Sequence, residues 1–267
     1  MLDRIIKKVP IVSDYYSYYW IFPKTITACR GIYSSFNEAL QAVSTKKLAG
    51  YNQSIISQHQ SVAQLTACAE IGVFNSIDYP VLLWLKLAFA DSSTVFDLGE
   101  NVGLAYYAYQ RFLNYANNLE WLVCEIPEIV KAGRKIAIEK SIGNLSFTTD
   151  LAKADGAGIL LTCGALQYLE PTLPEIIEQL QVKPKHLLIN HVPFYDGESF
   201  TTLQNIGYAY CPYKVQNREE FIKSLILLRY KMIDSWTINR SFSIPFHPNR
   251  SVSSYYGFYF QLDPVSN

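Results

Sequence analysis

The chain has 267 residues, 49% of them hydrophobic, enough to bury a substantial core in one domain with an appendage. Lys and Arg number 23, as do Asp and Glu, so the formal net charge is +0 and no basic field favours nucleic acid as the main partner. The cysteines (Cys29, Cys68, Cys124, Cys163, Cys211) are scattered and odd in number, and the histidines (His59, His186, His191, His247) show no i, i+4 pair. No zinc site is therefore evident, and a reduced, cytoplasmic location is expected.

Met1 to Pro10 carries charges and lacks a sustained apolar stretch, so no secretory signal is expected. The longest apolar run, Val81 to Ala90, is interrupted by Lys86 and is about half the ~20 residues that span a bilayer. A soluble protein without a transmembrane segment is expected.

Residues 1–30 are tyrosine-rich, with Tyr15, Tyr16, Tyr18, Tyr19 and Trp20 preceding Pro23. Such an arm packs on its own domain or on a second subunit, giving a homodimer; a membrane surface or an acceptor pocket are the functional alternatives. Ser35 followed by Glu38 has capping-box spacing and predicts a helix from Phe36. Helices are also predicted at Ile55–Ile71 and Pro80–Ala90. No strand-like alternation precedes Thr94, so residues 1–90 read as an arm and mainly helical cap, and 91–267 as a second unit.

From Thr94 short apolar runs alternate with helical segments, the pattern of βαβ units on a parallel sheet. Strands are predicted at Val95–Leu98, Trp121–Cys124, Leu145–Thr148, Ile159–Cys163 and His186–Asn190. Helices are predicted at Val102–Ala116, Ile126–Glu139 and Leu173–Gln181, the last capped by Thr172 and Glu175. A long connection, Pro193 to Gln216, leads to a helix capped by Asn217 and Glu220, then to strands at Tyr230–Thr237 and Tyr255–Leu262. The expected fold class is α/β: a Rossmann-like, seven-stranded sheet.

In such a sheet a ligand sits at the carboxyl ends of the strands. The first ends in Asp97, and Gly99 and Gly103 follow at G-x-x-x-G spacing, unlike the G-x-G-x-x-G of dinucleotide enzymes. Glu125, after the second strand, is placed to accept hydrogen bonds from both ribose hydroxyls of a nucleoside, or to stand as a helix N-terminal acid. Asp150 reads as an acceptor for an adenine amino group or as a solvated loop acid. Small residues at Cys163-Gly164-Ala165 let a ligand approach, and Gln167 and Tyr168 follow. The candidate cofactor-binding set is thus Asp97, Gly99, Asn101, Gly103, Glu125, Asp150, Cys163 and Gly164. His191 is the best-placed titratable group for a general base, with a structural histidine beside a proline turn as the alternative. Tyr168, Glu170 and Asp196 are weaker candidates.

The motif D-x-G-x-x-x-G resembles the first motif of S-adenosylmethionine (SAM) dependent methyltransferases. Beyond residue 28 the chain is similar nearly throughout to a methyltransferase family of bacterial polysaccharide and O-antigen biosynthesis clusters. The matching elements are Gly31 to Ala39 with Gly50-Tyr51, Trp121 to Pro127, Ala165-Leu166-Gln167-Tyr168-Leu169, Thr202 to Gly207, and Tyr255 to Phe260. The resemblance implies a class I methyltransferase fold, SAM as cofactor, and O- or N-methylation of a glycan, sugar nucleotide or related small molecule. A non-catalytic relative that binds a nucleoside-like ligand or a partner of glycan machinery is the rival. Glu100 stands where relatives have a second glycine, and an acid there repels the amino-acid carboxylate of SAM unless it points outward.

Overall fold

The fold was read from a computed structural model that describes residues 10–43, 48–50 and 75–263. The predicted helix at Ile55–Ile71, Cys68 and His59 lie outside the described residues.

The strands are β1 (Cys29–Tyr33), β2 (Leu48–Ala49), β3 (Thr94–Leu98), β4 (Glu120–Cys124), β5 (Leu145–Thr148), β6 (Ile159–Cys163), β7 (His186–Tyr195), β8 (Phe200–Asn205), β9 (Ala209–Asn217), β10 (Tyr230–Ile238) and β11 (Tyr255–Leu262). The helices are α1 (Pro10–Tyr16), α2 (Phe36–Gln41), α3 (Tyr79–Ala88), α4 (Leu104–Tyr109), α5 (Pro127–Glu139), α6 (Leu173–Glu178) and α7 (Arg218–Leu227). Strands β5, β4, β3, β6 and β7 lie side by side and parallel. Strand β11 adds antiparallel to β7, and β10 adds antiparallel to β11. These are the seven expected strands, and the fold is Rossmann-like α/β.

Local chemistry explains the helix starts. The Ser35 side chain accepts from the Glu38 N–H, and Thr172 and Glu175 complete a reciprocal capping box. The Asn217 side chain accepts from the Glu220 N–H at 2.8 Å. Along β3, Val95 belongs to an apolar cluster that includes Trp121, Ile136 and Leu85. Phe96, its neighbour, belongs to a second cluster with Leu160, Ile177 and Phe258. A parallel strand buried on both faces reads as a continuous apolar run for this reason.

Two expectations need correction. Among the described residues the sheet holds eleven strands, four more than expected. The stretch Pro193 to Gln216 is no mere connection: β7 runs on to Tyr195, β8 and β9 form an antiparallel hairpin, and β9 pairs with the end of β7. Residues 1–90 supply the other two strands, β1 beside β8 and β2 beside β9. Strand β8 (Phe-Thr-Thr-Leu-Gln-Asn) escapes a periodicity search because every residue in it is buried. Its polar side chains are satisfied inside: Thr202 donates to the Arg30 carbonyl and Asn205 to the Phe22 carbonyl.

The tyrosine-rich arm rests on its own chain, with Tyr15 and Tyr18 rings 5.0 and 5.8 Å from Phe246. No helix among the described residues is long and apolar enough to cross a membrane.

Candidate functional site

The chain leaves β3 toward β4 on one side and returns to β6 on the other. The strand order therefore reverses between β3 and β6, the switch point at whose carboxyl ends α/β sheets of this kind bind ligands.

The turn after β3 forms one wall. Gly99 has φ 78°, and a Cβ there would stand 2.2 Å from Ala165 Cβ, so only glycine lets the turn pass the tip of β6. Asn101 is also left-handed, at φ 56°. Its N–H donates to Glu125 Oε1 at 3.0 Å, while Glu125 Oε2 accepts from Ile126 N–H at 2.9 Å. Gly103, at φ 88°, forms the N-cap of α4. Asn101 and Glu125 are thus bonded directly, while the Gly99 N–H donates to the Cys124 carbonyl and the Gly103 N–H to the Glu100 carbonyl.

Asp97 is fully buried, at 0% exposure. Trp121 Nε1 donates to its Oδ2 at 2.8 Å, and its Oδ1 has no partner among the described residues. Burial raises the Asp97 carboxyl above the usual carboxylate range, against the Trp121 bond, and the Glu125 charge raises it further. Burial likewise raises Glu125, against its two backbone hydrogen bonds.

Glu100 does not point outward as the resemblance requires. Its Oε1 accepts from the Ala105 N–H at 3.1 Å, and its carbonyl accepts from Gly103 and Leu104 at 3.1 and 3.3 Å. One residue thus satisfies the open donors at the start of α4. Burial raises its carboxyl well above the ordinary range, and Asp97 and Asp78 add to the effect.

Asp78 is a member that the sequence reading missed, although Asn75-x-x-Asp78 has capping-box spacing. Its Oδ1 accepts from Asn190 Nδ2 at 3.1 Å, and Asn190 Oδ1 accepts from Trp236 Nε1 at 2.9 Å. Burial raises this carboxyl too.

On the opposite wall, burial pushes the Cys163 thiol well up, with Glu100, Asp78 and Asp97 adding, so it stays protonated and is no nucleophile. Gly164 has φ 75°, and a Cβ there would lie 3.2 Å from His191 Nδ1. Gln167 Nε2 donates to the Gly164 carbonyl at 2.7 Å, leaving its buried Oε1 without a partner among the described residues.

His191 Nε2 lies 2.9 Å from Arg240 Nη1. A guanidinium can only donate, so Nε2 accepts and the neutral ring carries its proton on Nδ1. Burial, then the Arg240 charge, lowers the His191 pKa to about 4. Tyr168 faces the second part of the sheet: its hydroxyl donates to Gln204 Oε1 at 2.5 Å and its ring meets Tyr213 edge-on. Asp150 is exposed and caps the turn Leu151–Ala154 through the Ala152 N–H at 2.9 Å. Asp196 pairs with Arg218 at 2.9 Å, and the Glu170 carbonyl accepts from Lys214.

No protein-family model matches the chain, and no curated protein sequence matches it. Solved structures do. An O-methyltransferase family protein from Burkholderia thailandensis is 15% identical over 96% of this chain and 72% of the other, with a TM-score of 0.51. The PH0226 protein from Pyrococcus horikoshii OT3 is 11% identical over 80% of this chain and 100% of the other, with a TM-score of 0.51. At these identities the likeness is one of fold.

Proposed function

We propose that the chain is a SAM-dependent methyltransferase acting on oxygen or nitrogen of a glycan, a sugar nucleotide or a related small molecule. The observation that carries the cofactor reading is the set of carboxyls Asp97, Glu100 and Glu125 at the ends of β3 and β4, with Asp78 at the start of α3, and one buried oxygen, Asp97 Oδ1, without a partner among the described residues. Burial is the main cause of their raised pKa values, with neighbouring carboxylates adding at Asp97 and Glu100, and a cationic ligand would relieve that charge while an anionic one would add to it. A dinucleotide would set its pyrophosphate on the N-terminus of α4, where the Glu100 carboxyl already sits. A nucleoside sulfonium has no phosphate to set there, and its amino-acid carboxylate would have to lie away from Glu100 Oε1, which the Ala105 N–H holds against α4.

SAM, when bound, supplies an electrophilic methyl on a sulfonium leaving group. The residues of this chain would do the rest. Glu125 accepts one backbone donor on each oxygen and retains lone pairs for the ribose hydroxyls. Gly99, Asn101 and Gly103 shape the turn, and Cys163 and Gly164 form the opposing edge. Asp150, at the end of β5, is the outermost member of the proposed set. His191 and Tyr168 act on the acceptor side as positioning groups, because Arg240 holds His191 Nε2 and Gln204 holds the Tyr168 hydroxyl. Alignment of acceptor and methyl is the main catalytic contribution, on the order of 7–11 kcal/mol in well-oriented systems.

The glycan acceptor and the place in polysaccharide biosynthesis rest on the resemblance of Gly31–Ala39, Ala165–Leu169 and Thr202–Gly207 to that family. The division at residue 90, a homodimer through the tyrosine-rich arm and a cytoplasmic location belong to the same proposal. Calorimetry with SAM and S-adenosylhomocysteine, on protein freed of co-purified ligand, tests the reading. Absence of binding for both sinks it, and binding without turnover on a broad sugar panel favours a non-catalytic relative.

A further inference from the structure

A charged group near the strand tips, Arg240, lies outside the proposed cofactor-binding set. Arg240 follows β10 and is half-buried. Its guanidinium lies over the Tyr255 ring, 5.1 Å from the centroid, and Nη1 donates to His191 Nε2 at 2.9 Å. The Tyr255 hydroxyl itself lies 2.7 Å from the Tyr213 hydroxyl. A guanidinium has five N–H donors, and among the described residues His191 takes one of them. No carboxylate among the described residues lies within ion-pair distance of it. Asp78, the acid joined to the adjacent Asn190, is spent on that amide. A cation partly withdrawn from water without a counter-charge is costly unless a ligand supplies one.

The surroundings are prepared for such a ligand. His191 sits at φ 60°, a conformation uncommon outside glycine that persists when its surroundings enforce it. Because its ring is neutral, it fixes the guanidinium without adding a second positive charge. Its Nδ1–H lies beside the point that a Gly164 Cβ would occupy, and Gln167 Nε2 is 3.8 Å from that same point. The Gln167 Oε1, in a residue only 3% exposed, has no partner among the described residues and can accept from a hydroxyl. The switch point is thereby polarised, with carboxyls at the tips of β3 and β4 and a guanidinium at the end of β10.

We propose that Arg240, positioned by His191, receives an anionic group, carboxylate or phosphate, on a hydroxylated methyl acceptor. This rests on the methyltransferase reading for the word acceptor, but the anion site can be tested alone. The planar fork of arginine grips either group through paired N–H donors.

The test is NMR of the His191 imidazole in histidine-labelled protein, assigned with His191→Gln. Inorganic phosphate and acetate are titrated separately at constant ionic strength set with chloride. The expected result is a saturable shift of the His191 signals, with half-saturation on the order of millimolar for at least one anion. Arg240→Gln should weaken the response at least tenfold, and Arg240→Lys should keep part of it, with folding of both checked by thermal melting. Saturation by phosphate marks a phosphorylated acceptor, and saturation by acetate a carboxylate one. No saturable change up to about 50 mM of either anion, or an equal response in Arg240→Gln, overturns the site. The readout requires no SAM. Loss of SAM binding with the anion response intact would remove methyl transfer and leave the anion site standing.

Discussion

The Asn101 N–H donates to Glu125 Oε1 at 3.0 Å, so the turn that ends β3 is tied to the acid that ends β4. Glu125 therefore shapes the glycine turn, and the proposed ribose contact would use its remaining lone pairs. Glu125→Ala should weaken SAM binding by roughly 1.5–3 kcal/mol, the scale of hydrogen bonds to charged groups. Glu125→Gln, which keeps one acceptor oxygen, should lose less. Calorimetry on the folded variants checks both, and unchanged affinity in the alanine variant removes Glu125 from the site.

Gly99→Ala places a Cβ 2.2 Å from Ala165 Cβ at a backbone φ of 78°. The left-handed conformation and the overpacking together should cost roughly 2–4 kcal/mol in denaturant unfolding. Adding Ala165→Gly should recover the steric part and leave the conformational part. Full recovery would mean that the left-handed turn imposes no penalty.

The raised carboxyls set a pH dependence of known sign. Burial first, then neighbouring charge, holds the Asp97 pKa above its unfolded value near 4. The folded state therefore binds the proton that the unfolded state has released. This contribution is complete below the unfolded pKa and is lost as pH rises through the raised folded one. Asp97→Asn, which keeps an acceptor for Trp121 Nε1, should flatten the decline of thermal stability from acid toward pH 9. Parallel pH curves for variant and parent would show that Asp97 titrates normally.

His191 runs the other way. Its folded pKa of about 4 lies below the ordinary imidazole value, through burial and then Arg240. Its contribution is present above an unfolded pKa of about 6.5 and is lost as pH falls through the folded value. Arg240→Gln should raise the His191 pKa in an NMR titration. A midpoint that stays near 4 would leave burial as the whole cause.

Tyr168→Phe removes a hydroxyl that donates to Gln204. A positioning role predicts a stability loss of about 0.5–1.5 kcal/mol with turnover largely retained. A drop in kcat of two or more orders of magnitude would restore Tyr168 as a base.

The parts of the site legible in sequence are those set by local chemistry. Gly99 and Gly103 are where the backbone needs φ > 0, Glu125 follows a buried strand at a fixed spacing, and Ser35, Thr172 and Asn217 announce helix starts. Asp78 announces a helix start through Asn75-x-x-Asp78 but not its place in the site, and Arg240 carries no local signal, because their partners lie far along the chain. Asp78 meets Asn190, and Arg240 meets His191 and Tyr255.

By itself the sequence determined the alternation of buried strands and capped helices, and hence the seven strands that place Asp97 and Glu125 at one switch point. Hydrophobic periodicity and turn stereochemistry act over a few residues and need no tertiary partner. Only the tertiary structure decided that Thr201, Thr202, Gln204 and Asn205 form a buried strand, that Glu100 folds back onto α4, and that Arg240 lacks an ion-pair partner among the described residues. Each depends on whether a polar group is satisfied once water is removed, and that is settled by which distant segments are brought against it.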